Sequence, residues 1–122
     1  MALKEYDALI QWLGDRHGEI MACEQSAMDE LKAGRAAEYK SKMKEKALKI
    51  SSLAEDCKPY MEAISPDKRE EIARELERFS TSAKAGINLD SVFYMSALLY
   101  RDDHKEGEPD NLYVFIENLK NQ

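Results

Sequence analysis

Two runs of apolar residues at helical spacing, meeting at Ala33-Gly34, confine the first half of this chain to a helical hairpin. On the first run Leu3, Tyr6, Ile10, Leu13, Ile20, Ala27 and Leu31 recur at steps of three and four or their multiples. On the second, Ala36, Tyr39, Met43, Ala47, Ile50, Leu53, Cys57, Tyr60 and Ile64 do nearly the same. Such spacing lays an apolar seam along one side of each helix, and neither seam is stable facing water. Gly34 supplies the left-handed residue with which helices commonly end. A hairpin over residues 3–64 is therefore expected.

Gly14 and Gly18 each cost a helix interior roughly 0.8–1 kcal/mol relative to Ala. The seam nevertheless resumes in register at Ile20, so one continuous first helix is expected. Pro59 removes a donor and biases Lys58 away from helical angles, which predicts a kink or short break there. Ser65-Pro66-Asp67 is a helix start, with Ser as cap, Pro in the first turn and an acid beside the positive end of the dipole. Ile72, Leu76, Phe79 and Ala83 form the seam of that helix, which is expected to end near Gly86, with Asn88 or Asp90 capping the next. Ser91–Arg101 is apolar nearly all round. It is expected to be the most buried helix, with Val92, Phe93, Met95, Leu98 and Leu99 as the keystone of the core. Residues 102–109 read as a charged loop. Pro109 then opens a last helix with Leu112, Phe115 or Ile116, and Leu119 inward. The fold class is all-α: a compact antiparallel bundle of four or five helices in one domain, 1–122, with the hairpin at 3–64 and C-terminal helices at 66–120.

Five Gly and three Pro in 122 residues are too few for an all-β chain dense in turns. The net charge of −6 is unevenly spread: residues 1–34 carry three basic and seven acidic groups, residues 35–50 six and two, and the remainder nine and fifteen. An acidic chain is a poor nucleic-acid or anionic-membrane binder, and neither partner is expected. Lys4, Glu5 and Asp7 interrupt any apolar signal region. The longest uncharged run, Ser91–Tyr100, is about half of a membrane span. A cytoplasmic location is expected. In the hairpin, residue i of the first arm lies near residue 67 − i of the second. Cys23 is then level with about Lys44, on the order of 20 Å from Cys57 along the axis. A disulfide requires Cα atoms within about 7 Å, so both thiols are expected to be free.

Lys40, Lys42, Lys44, Lys46 and Lys49 form a basic stripe suited to phosphates or an acidic partner. The hairpin register offers another use for it, because Glu19, Glu24 and Asp29 lie nearly level on the first arm. Opposite charges flanking the seam set the pairing of the arms, and this structural role is the one expected. His17 and Glu24 fall on core-facing positions with Cys23 nearby. The di-iron signature needs Glu-x-x-His on two helices, whereas Gly14 and Arg101 precede His17 and His104 by three. A polar pair that fixes register, or faces a gap at the glycines, is expected instead. Asp102, His104, Glu106, Gly107 and Asp110 land on calcium-loop positions, but Tyr113 stands where a bidentate Glu is needed. That loop reads as a solvated acidic turn. Ser80, Thr81, Ser82, Cys23 and Cys57 have no partnering His, and no Gly-rich phosphate loop is present. No catalytic, cofactor-binding or metal residue is assigned, and the sequence offers no catalytic motif.

The stretch Glu24–Leu53, with its Ala-Gly hinge and regularly spaced Lys and Leu or Ile, resembles the helical hairpin of flagellar and related secretion chaperones. The likeness covers about a quarter of the chain, and the C-terminal half departs from it. No functional residue is transferred. The function expected is a small cytoplasmic protein–protein interaction module. The alternatives are a secretion or flagellar-export-type chaperone and a ligand- or metal-binding helical bundle. Long seams and abundant apolar faces add the expectation of a homodimer.

Overall fold

Gly34, at φ +78°, reverses the chain between helices α1 (Asp7–Lys32) and α2 (Ala36–Ser51). Its N–H donates to the Leu31 carbonyl at 3.0 Å and the Arg35 N–H to that of Glu30 at 2.9 Å. These two bonds close a Schellman motif, as a Gly at this place implies. The computed structural model describes residues 4–122, and among them the chain is an all-α bundle. Leu3, assigned to the first seam, lies outside the described residues.

α1 is unbroken through Gly14 and Gly18, as expected. A Cβ on either glycine would meet no neighbour within 4 Å, so neither marks a close approach. Leu9, Leu13, Ile20 and Ala27 are buried along α1, and Met43, Ala47 and Ile50 along α2. Leu31, at the hairpin tip, is exposed.

The second arm is shorter than the periodicity implied. It stops at Ser51, and the chain continues as the single turn α3 (Leu53–Asp56) and a 3₁₀ turn, Lys58–Met61, that contains Pro59. A first break therefore lies ahead of the proline, at Ser52, and the expected one falls at Cys57, where α3 gives way to the 3₁₀ turn. The hydroxyl of Ser80 supports it, donating to the Ile50 carbonyl at 3.1 Å and accepting from the Ala54 N–H at 3.1 Å. Arg16 holds the same corner, with one amino group 2.9 Å from the Lys49 carbonyl and the other 3.1 Å from the Asp56 carboxylate.

Helix α4 (Pro66–Asn88) begins at the expected Ser-Pro signal and buries Ile72, Leu76, Ser80 and Ala83. It runs past Gly86, which is itself buried against Met95. The helix ends in a second Schellman motif, with Asp90 at φ +50° in place of glycine. The cap of the next helix is Ser91, whose hydroxyl accepts from the Tyr94 N–H at 3.2 Å, and neither Asn88 nor Asp90.

That next helix, α5 (Val92–Ala97), corrects the keystone expectation. Met95, Leu98 and Leu99 are buried, but Phe93 is 75% and Tyr94 56% exposed. The six-residue helix rests on α2 and α4, and so has only one covered side. α6 (Asn111–Lys120) packs on α1 and not over α5, burying Leu112, Ile116 and Leu119. No helix among the described residues is long and apolar enough to cross a membrane.

Candidate binding groove and the polar network beneath it

Because α5 is covered on one side only, an open groove of about 750 Å³ runs between α4, the segment following Val92 and α6. Its walls include Phe79 and Ala85 of α4, Leu98 and Leu99, and Val114 and Phe115 of α6. Phe93 and Tyr94 stand at its edge. Glu75, Arg78 and Asp102 add charge. Phe79 and Phe115 meet edge to face, with ring centroids 6.2 Å apart.

One wall of the groove is a turn in an unusual conformation. Ala97 to Tyr100 is closed by a Tyr100 N–H to Ala97 carbonyl bond of 3.1 Å. Leu98 has φ −56° and ψ 138°, and Leu99 has φ +76°. These are type II turn angles with Leu where glycine belongs. Such a residue costs on the order of 1–3 kcal/mol and persists only where its surroundings hold it. Burial of both leucine side chains holds it here, together with a 2.8 Å bond from the Asn111 N–H to the Leu99 carbonyl.

Tyr100, which also lines the groove, leads inward to a charged network. Its hydroxyl donates to Glu24. The other Glu24 oxygen accepts from Lys46 at 2.8 Å. Lys46 is wholly buried and also donates to the Ser96 carbonyl at 3.0 Å, with the Tyr100 ring 5.1 Å from its ammonium. Burial pushes the Lys46 pKa down, and Glu24 opposes that shift. The Tyr100 phenol is driven well above its ordinary value, by burial first and then by the Glu24 carboxylate. The Lys46 ammonium has its hydrogen-bond partners within the protein, the Glu24 carboxylate and the Ser96 carbonyl. Its role is to tie α5 and the turn to the hairpin.

Asp110 makes the second polar tie. Its Oδ1 accepts from the Tyr113 N–H at 3.0 Å, capping α6, while Oδ2 lies 2.8 Å from Nε2 of His17. Burial raises its pKa, but His17 and the cap bonds prevail and hold the carboxyl below its usual value. His17 and Glu24, expected as a polar pair that fixes register or faces a gap at the glycines, have separate partners. Each binds the C-terminal half, at Asp110 and Tyr100.

The lysine stripe is dispersed. Lys46 pairs with Glu24 and Lys49 with Glu19, within a residue or three of the expected register. Lys40 reaches Asp90 at 2.9 Å, and Lys42 pairs with Glu45 on its own helix. Asp29 accepts from Gln25 and from no lysine among the described residues. In the 102–110 loop the oxygen ligands do not converge: the His104 ring packs at a tilt against Tyr100, its Nε2 pairs with the Glu108 carbonyl at 2.9 Å, and Asp110 is occupied as above. No group of three or more His, Cys, Asp or Glu among the described residues is arranged to hold a metal ion. Both cysteines are free. Cys57 is buried and contacts the Ala54 carbonyl and the Met61 sulfur, and burial pushes its thiol up to about 11.

The exposed pair Phe93-Tyr94 and the cap Asp110 are the site residues that periodicity missed. Asp110 was legible as an acid immediately before an apolar helical run, the usual signature of an N-cap. No protein-family model matches the chain, and comparisons with curated proteins and solved structures give no match.

Proposed function

We propose that this protein is a small cytoplasmic protein–protein interaction module that docks partners in the groove beside α5. One observation carries the reading: a ring as large as Phe93, 75% exposed, stands with half-exposed Tyr94 at the edge of an apolar concavity. Aromatic residues in such positions are typical anchors of protein interfaces. Grooves of this kind accept an apolar face presented by another chain. The strained turn and the Lys46–Glu24–Tyr100 network support the reading, because they fix the groove wall at a cost in local stability. The free thiols, one of them deeply buried, accord with a reducing compartment.

A photo-crosslinking amino acid at position 93 tests this in intact cells. The expected outcome is protein adducts of discrete mass that Val114→Asp suppresses, with none from the same probe at exposed Lys32. Absence of position-93 adducts under conditions where the protein is folded and abundant would overturn the reading.

A further inference from the structure

We infer that the occupant of the groove is a second copy of this chain, related to the first by a two-fold axis beside α5. The inference rests on the groove being a docking surface and names what docks there.

Shape is the first argument. A projecting aromatic, Phe93, and an apolar concavity lie side by side on one molecule. A two-fold contact requires a self-complementary patch, in which residue i meets j and j meets i. Rotating one copy onto the other lets each Phe93 enter the other's groove, so a single patch supplies both knob and hole.

Charge is the second argument. The groove contains both signs, with Arg78 on α4 and Asp102 beyond the strained turn. Asp102 has no ion-pair partner among the described residues. Arg78 has only an exposed contact of 3.4 Å to Glu75, three residues away. In a two-fold pair, each Arg78 can meet the other copy's Asp102, satisfying both charges twice. A partner of one charge sign would leave Arg78 or Asp102 opposed.

Area is the third argument. The chain exposes 7542 Å². A monomer of its mass, 14.0 kDa, is expected to expose about 6,700 Å². The excess is on the order of 800 Å², about what each partner of a standard interface buries. The projecting hairpin tip contributes part of it, and Leu31, Leu48 and Tyr60 are exposed elsewhere, but the three most exposed large apolar side chains, Phe93, Leu89 and Tyr94, all lie in or next to α5.

Sedimentation velocity across roughly 1–100 µM, the range in which interfaces of this size begin to associate, tests the inference on the intact chain. The expected result is a reversible dimer that Phe93→Asp weakens by about 30-fold or more, as loss of an interface anchor does. Because Phe93 is exposed, circular dichroism should show that variant folded. Arg78→Glu and Asp102→Lys should each weaken the dimer alone. An equimolar mixture of the two should restore it. In the mixed dimer one ion pair joins the two substituted side chains with their signs exchanged, and the other joins the native Arg78 and Asp102. A wild-type protein monomeric throughout that range overturns the inference. If position-93 crosslinks then join a different protein, the interaction-module reading survives; if there are none, both readings fall. A dimer indifferent to all three substitutions places the contact elsewhere and also overturns the inference.

Discussion

The ammonium of Lys46 donates to the Glu24 carboxylate at 2.8 Å with no solvent-accessible surface of its own, and so joins the two arms of the hairpin at the base of the groove. Tyr100 closes the triad from the far side. Removing one member strands the others. Lys46→Met is expected to destabilise the protein by about 3 kcal/mol, the lower part of the range for breaking a buried pair, because a fifth of the Glu24 side chain still reaches water. The triple change Lys46→Met, Glu24→Leu, Tyr100→Phe should recover most of that loss, since an apolar replacement of the whole set leaves no uncompensated charge. Urea unfolding of the single and triple variants checks both figures.

Met95 and Phe93 sit two residues apart on α5 and should respond oppositely to truncation. Met95 is fully buried against Gly86. Met95→Ala should cost about 2–5 kcal/mol. Phe93→Ala should fall within about 0.5 kcal/mol of wild type, as exposed substitutions do. Thermal or urea denaturation of the pair, at concentrations low enough to keep the chain monomeric, decides it, and equal losses would mean that the chain itself covers α5.

Asp110 gives the bundle an acid-sensitive tie. Its folded-state pKa is lowered, so the native state binds its proton less readily than the unfolded chain. The resulting stability is fully present above the ordinary carboxylate range and is lost as pH falls through the lowered value. Asp110→Asn keeps a good helix cap but removes the charge facing His17, and should flatten this limb of the stability–pH curve. Asp110→Ala should lose a further ~1 kcal/mol at neutral pH through loss of the cap. Urea midpoints from pH 3 to 7 distinguish the two variants.

The two thiols should differ in reactivity. Cys57 is buried, and its thiol is pushed up to about 11, so little reactive thiolate forms near neutrality. Cys23 is half-buried on α1, and its raised pKa is partly offset by Lys49. Alkylation at pH 8 should modify Cys23 first and reach Cys57 only on unfolding, as timed mass spectrometry would show. On the alkaline side, the native state holds the Cys57 proton more tightly than the unfolded chain does. Stability should therefore fall as pH rises from about 9 toward 11.

Apolar spacing and local stop and start signals were enough to determine the hairpin, its Gly34 hinge, the continuity of α1, the start of α4 and the inward face of α6. These depend on interactions within a few residues, which a linear pattern displays directly. The same pattern misjudged α5. Apolarity on every side records what a segment is willing to bury, while the burial it receives depends on whether another element arrives to cover it. α6 packs on α1, and Phe93 is left at the groove edge. The pairing of His17 with Asp110 and of Glu24 with Tyr100 was likewise outside the reach of spacing, since those partners are separated by 93 and 76 residues. Tertiary packing alone decides such contacts, because bringing distant groups together is a property of how the helices stack and not of any helix by itself.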